Sequence, residues 1–279
     1  MSLHVVSEAP PHGGDLVRRH RLSTRLWHWT NASVLVIMLG SGLMIFNAHP
    51  RLYWGNYGAN PDPAWLEIGA TADAGVLTVA GQQIKTTGVL GKWTDSGGVV
   101  RNRAFPGWAT IPSTYNLALA RRWHLTFAWL FAGALLIYAL RSLWNGHMRR
   151  DLLPTREELR PRHIWGDIKH HATLNFPPGF AALRYNILQK FAYLSVLVIL
   201  LPGMVLTGLT MSPAATALMP WLIDVFGGRQ SARSLHFIFM ALLFGFFIVH
   251  MIMVLLAGPF NEVRSMITGR FRLPKEKGQ

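Results

Sequence analysis

LHFIFMALLFGFFIVHMIMVLLA, residues 235–257, decides how the rest of the chain is read. A helix rises about 1.5 Å per residue, so this uncharged run is long enough to cross a hydrocarbon core about 30 Å thick. It nevertheless carries His236 and His250. At about 100° per residue, a spacing of fourteen returns to nearly the same helix face, roughly 21 Å further along the axis. An ionisable side chain inside a spanning helix is expected to be functional. Two on one face, at two depths, point to two stacked metal centres, provided that other helices supply partners.

The composition agrees with a membrane setting. Of 279 residues, 51% are hydrophobic and only 14% charged, which predicts a polytopic membrane protein. Cysteine is absent, and with it disulfides, thiolate-bound iron–sulfur clusters and covalent haem attachment through CxxCH. Any redox cofactor must be held by histidine, methionine or a non-covalent cradle.

The predicted spans are 26–48, 121–142, 189–210 and 235–257, in an all-α membrane protein built as a four-helix bundle. Pro202 and Gly203 are expected to kink the third. Residues 49–120 are rich in Gly, Pro, Trp and Tyr, and LTVAGQQIKTT (77–87) alternates around Ala80-Gly81 as a hairpin does. This insertion is expected to fold as a small extracytoplasmic cap. Residues 1–25 and 258–279 read as polar tails. The N-terminal one has no apolar run of the signal-peptide kind and leads into an uncleaved first helix.

Four spans put both termini on one side. Segments 1–25, 141–190 and 258–279 hold eighteen Lys and Arg, against nine in 47–122 and 213–234. Both termini are therefore predicted to be cytoplasmic, in a bacterial inner membrane. The net charge of +14 is then a matter of topology, and nucleic-acid binding is not expected. GGRQSAR (227–233) lacks the strand context of a phosphate loop, and no internal repeat is evident.

Four of the twelve histidines fall inside spans: His28, His124, His236 and His250. With alternating helix directions, His124 and His236 share the outer depth, and His28 and His250 the inner depth. Two bis-histidine sites suit six-coordinate b-type haem, in which neutral imidazoles fill both axial positions. The plainer reading of any single intramembrane histidine is a hydrogen bond to a neighbouring helix, but four that match in depth by pairs favour haem. Neither pair has a third or fourth protein ligand, which argues against zinc. Arg25, Arg121 and Arg233 each precede a histidine by three residues, one turn nearer the membrane surface. A haem propionate emerges there and suits a guanidinium fork; simple anchoring at the interface is the alternative. His163, His170 and His171 are expected in solvent, and His49 at the interface.

RLWHW (25–29), RRWH (121–124), NILQK (186–190) and the His236 to His250 frame together resemble the four-helix di-haem cytochrome b subunits of the bacterial cytochrome b561 and nickel-hydrogenase b-type group. The resemblance spans about 20–270. HPRLYWGNYG, LTGLTMSP and GGRQSARSLHF resemble the thiosulfate-reductase-type branch, often found beside a molybdopterin oxidoreductase. The resemblance implies two haem b groups on the same four histidines. It also implies a quinone near Asn186, Gln189 and Lys190, which look like the family's Asn–Gln–Lys motif. Helix capping by Asn186 and interfacial anchoring by Lys190 are the structural alternative for that trio. The expected function is electron transfer between a periplasmic redox enzyme and the quinone pool. The alternative is a stand-alone quinone-linked oxidoreductase acting on a small periplasmic redox substrate such as superoxide.

Overall fold

The computed structural model describes residues 14–146, 148–173 and 186–273. His4, His12 and His147 lie outside the described residues, as do the side chains of His170 and His171. A short strand, β1 (Leu16–Arg18), precedes helix α1 (Leu22–Phe46). The insertion holds six strands: β2 (Arg51–Leu52), β3 (Leu66–Ala70), β4 (Gly75–Val79), β5 (Gln82–Lys85), β6 (Gly91–Thr94) and β7 (Val100–Arg103). Helices α2 (Leu117–Trp144) and α3 (Pro161–Ala172) follow. The next span, Ile187–Met211, is α4 (Ile187–Leu194) and α5 (Leu201–Met211) joined by a π-helical stretch, Ser195–Leu200. Short helices α6 (Pro213–Leu218) and α7 (Trp221–Val225) lead to α8 (Arg229–Ala257), α9 (Pro259–Thr268) and strand β8 (Arg270–Arg272).

Four of these helical segments are long and apolar enough to cross a membrane: Leu22–Phe46, Leu117–Trp144, Ile187–Met211 and Arg229–Ala257. The first and the fourth start a few residues earlier than expected, in the polar stretches 22–25 and 229–234, because helix propagation needs only backbone hydrogen bonds and tolerates charged ends. Pro202 is absorbed by the wider turns of the π segment just before it, where the missing N–H can be accommodated. The fourth span stops where Gly258 takes φ of 101° and Pro259 begins α9.

The expectation of an all-α chain holds for the spans and fails for the insertion, which is antiparallel β. Strands β2 to β5 form a sheet in sequence order, and β6 pairs with β7. The hairpin around Ala80-Gly81 is present, with Val79 opposite Gln82. Ala80 (φ 47°) and Gly81 (φ 83°) are both left-handed, the signature of a two-residue I′ turn. Leu66 and Ile68 alternate inward from β3 and pack with Phe46, Leu52 and Ala104 into a small core, against which Phe105 and Phe237 also rest.

The described residues of Met1–Trp29, Arg141–Ser195 and Gly245–Gln279 form one compact unit, and Thr30–Leu140 with Val196–Phe244 a second. In the second, the insertion is bound to the start of α8. Ser234 Oγ donates to the Tyr53 carbonyl at 2.6 Å and accepts from Trp65 Nε1 at 2.9 Å, while Ser231 Oγ accepts from Gly55 N at 2.7 Å. Asn47, just past α1, exchanges two hydrogen bonds with the Phe105 backbone.

In the first unit the polar ends of the chain are folded where described. β1 pairs with β8, and Arg19 forks onto Glu262 at 2.9 and 3.1 Å while lying over the Phe271 ring. Trp29 Nε1 donates to the Met266 carbonyl at 3.0 Å, and Arg25 donates to that of Ile267. These bonds cap the last turn of α9 with donors from α1.

Candidate haem sites

The histidines of the spans stand in two pairs, one in each unit. The rings of His124 and His236 have centroids 6.3 Å apart at 63°, and those of His28 and His250 lie 6.4 Å apart at 54°. Two imidazoles bound to opposite sides of one metal ion are separated by a predictable distance. With bonds of about 2.0 Å and a nitrogen about 1.1 Å from its ring centre, the centroids would fall about 6.2 Å apart. Both pairs match that spacing.

The second unit builds its pair with hydrogen bonds. His124 Nδ1 is 3.1 Å from the Met38 carbonyl oxygen and 3.1 Å from Ser41 Oγ, both on α1. His236 Nδ1 is 2.9 Å from Thr207 Oγ1 on α5. The next residue in each case is a glycine that faces the ring. A Cβ at Gly42 would stand 3.3 Å from His124 Cε1, tighter than most real contacts. Gly208 faces His236 at ordinary contact distance. A ring seated against a bare backbone with Nδ1 occupied leaves Nε2 for a metal, so the residues present fit haem b.

The first unit builds its pair with aromatic rings. Trp29 meets His28 edge-on at 5.1 Å, and Phe246 lies nearly parallel to His250 at 6.1 Å. Among the described residues, His28 Nδ1 is buried and meets no hydrogen-bond partner, and the same holds for Arg25 Nε nearby in sequence. Orphaned buried polar atoms of this kind are expected where a polar cofactor completes the site. Among the described residues, no group of three or more His, Cys, Asp or Glu side chains could hold a bare metal ion. Two protein ligands per site suit an ion whose other positions come from a porphyrin.

The arginines that precede the histidines fare differently. Arg233 is half-buried, donates to the His49 carbonyl and lies 5.8 Å from the Phe46 ring centre. Arg25 is engaged with α9 as described, and Arg121 is exposed. His49 stacks on Tyr53 at 5.8 Å; burial first, and then Arg233 and Arg51, push its pKa below the ordinary value, so the ring is neutral at pH 7.

Asn186 and Gln189 form a reciprocal capping box at the start of α4. Asn186 Oδ1 accepts from Gln189 N at 2.8 Å, and Gln189 Oε1 accepts from Asn186 N at 3.3 Å. Lys190 is no interfacial anchor. It is 7% exposed and bonds both oxygens of Glu158 at 2.8 and 2.9 Å. Burial alone would raise the Glu158 carboxyl, but hydrogen bonds from Lys190 and Thr155 outweigh it and hold the pKa below the usual carboxylate value.

The profile of the prokaryotic cytochrome b561 family matches residues 19–269, which takes in all four spans and both histidine pairs. The chain belongs to that family. It is thus a multi-pass membrane b-type cytochrome, and the family implies haem b. Among curated relatives, the putative protein-methionine-sulfoxide reductase subunit YedZ1 of Azospira oryzae is 32% identical over 148 residues, which cover 49% of this cytochrome. The match spans 65% of that relative's own length. No solved structure matches the chain.

Sequence reading overlooked Ser41, Thr207 and Glu158. A signal for the first two was available: MLGSGL (38–43) and MVLTGL (204–209) share the local pattern M-x-x-[ST]-G-L. Glu158 had no such signal, because its partner is thirty-two residues away in sequence.

Proposed function

We propose that this cytochrome holds two haem b groups, one on His124 and His236 and one on His28 and His250, and carries electrons between a periplasmic oxidoreductase and membrane quinone. The observation that carries the reading is the pair of imidazole couples, each at the spacing of opposite axial ligands, with one member of each on the single helix α8. Bound haem supplies one-electron storage at each site. The chain's own residues supply ligation, orientation and shielding from water.

With both termini cytoplasmic, as the Lys and Arg distribution favours, the 124/236 pair lies in the periplasmic half of the membrane and the insertion covers that side. The partner there is an oxidoreductase, and a molybdopterin enzyme is the class we assign. The relative's name, a putative reductase subunit, supports a role as a subunit that serves an oxidoreductase. We place quinone beside the start of α4, in the unit that contains His28 and His250. We assign the side-chain amides of Asn186 and Gln189 to hydrogen-bond a quinone carbonyl there. Lys190 Nζ, held by Glu158, is the group we assign to exchange protons there.

Adding a quinol analogue to the purified, oxidised full-length chain tests the reading. The expected result is full appearance of the reduced b-type spectrum, slowed by Asn186→Ala or Gln189→Ala with haem content unchanged. A spectrum that dithionite reduces and quinol does not would contradict the quinone link.

A further inference from the structure

The contacts around His124 and His236 determine where each ring carries its proton. A carbonyl oxygen only accepts, so His124 Nδ1, 3.1 Å from Met38 O, is the protonated nitrogen. Ser41 agrees. Its hydroxyl proton is directed to the Ile37 carbonyl at 2.7 Å, the back-bond common for serine in helices, and its oxygen therefore faces His124 as an acceptor. Thr207 repeats the arrangement. Its proton goes to the Gly203 carbonyl at 2.6 Å, and Oγ1 is left to accept from His236 Nδ1 at 2.9 Å. Both rings are thus Nδ1–H tautomers with a bare lone pair on Nε2, the state required of a metal ligand.

The sequence frame explains why one turn of helix does this twice. In M-x-x-[ST]-G-L the Met carbonyl, the hydroxyl and the side-chain-free glycine stand at i, i+3 and i+4, on one helical face. Ser41 and Thr207 are both fully buried, so neither hydroxyl is exchanging its bonds with solvent.

We propose that Ser41 and Thr207 are positioning residues that fix the tautomer of His124 and His236 and set how strongly these rings donate to iron, and that the device serves this site alone. It rests on the reading above that the pair binds haem. Among the described residues the 28/250 pair has no counterpart: His28 Nδ1 is buried with no hydrogen-bond partner, and aromatic rings stand against its imidazoles. A hydrogen bond from Nδ1–H makes the ligand more basic and favours the oxidised metal. The two hydroxyls therefore hold the reduction potential of their own site down and leave that of the other unchanged.

Redox titration of the full-length chain, with the 124/236 component assigned as the one lost in His236→Ala, tests this. Thr207→Val keeps the shape and removes the hydroxyl. It should favour reduction at that site by up to tenfold, an upward shift of up to about 59 mV for a one-electron couple, with the other component unmoved. Ser41→Ala should shift it in the same direction, and Thr207→Ser should restore the wild-type value. Thr210→Val is the control, because Thr210 is equally buried and back-bonded, to Leu206 O at 2.9 Å, and touches neither histidine. An unmoved potential in both Thr207→Val and Ser41→Ala, or an equal shift in Thr210→Val, would overturn the proposal. If His236→Ala removed no haem component, the underlying assignment of haem to this pair would fail first, and that outcome is distinct from an unmoved potential.

Discussion

The two histidine pairs use the same residue type and share one helix, yet they are supported by different physics. Around His124 and His236 the second ring nitrogen is tied into carbonyl and hydroxyl groups one turn apart on α1 and α5. Around His28 and His250 the support is an edge-on tryptophan and a parallel phenylalanine, and the buried His28 Nδ1 meets no partner among the described residues. Hydrogen bonds are directional and fix a tautomer; ring contacts limit rotation and leave the proton free to choose.

The largest test of that difference is removal of one ligand at a time. His250→Ala should abolish one of the two haem spectra and spare the other, measured by low-temperature absorption of the reduced chain. Loss of both from a folded chain would mean that the sites are not independent. Next comes crowding. Gly42→Leu puts a side chain where a Cβ alone already stands 3.3 Å from His124 Cε1. Overpacking costs roughly 1–3 kcal/mol, so haem should leave the 124/236 site about ten to a hundred times faster, with the 28/250 site unaffected.

Much of this was legible in the sequence, and the gaps have physical causes. The spans follow from length and hydropathy, which reflect a one-dimensional requirement to bury backbone in lipid. The histidines follow from helix periodicity along α8 and from helix direction. Lys190 was legible only as a cation near a helix start. Glu158, which buries it, comes from a separate segment, and no local pattern encodes that pairing. Asn186 and Gln189, three apart before an apolar run, carry the spacing of a capping box, and the capping role open to Asn186 was legible from that spacing. The β insertion showed one hairpin clearly, at Ala80-Gly81. The docking of Ser231 and Ser234 onto it was hidden, because serines at the mouth of a span read as ordinary polar ends.

Glu158→Gln probes the unit that holds the 28/250 pair. The Glu158 carboxyl has a lowered pKa in the folded chain, so its pairing with Lys190 stabilises fully above the unfolded value, about 4.5, and is lost as pH falls through the lower folded value. The substitution should cost about 1–2 kcal/mol, discounted for the partial exposure of Glu158, and should flatten acid sensitivity in that window. Proteolysis of the 141–195 region across a pH series would report it, and a wild-type acid profile in the variant would count against the pair. The smallest effect is expected from Phe246→Ala. Losing one ring contact is worth about 0.5–1.5 kcal/mol, so the 28/250 haem should be lost a few times faster and the 124/236 haem should not change.

The central claim, two bis-histidine haem sites in one chain, is tested most directly by a pyridine haemochrome assay against protein concentration on the purified full-length cytochrome. The account predicts two haem b per chain. A value of one or none in folded protein would contradict it.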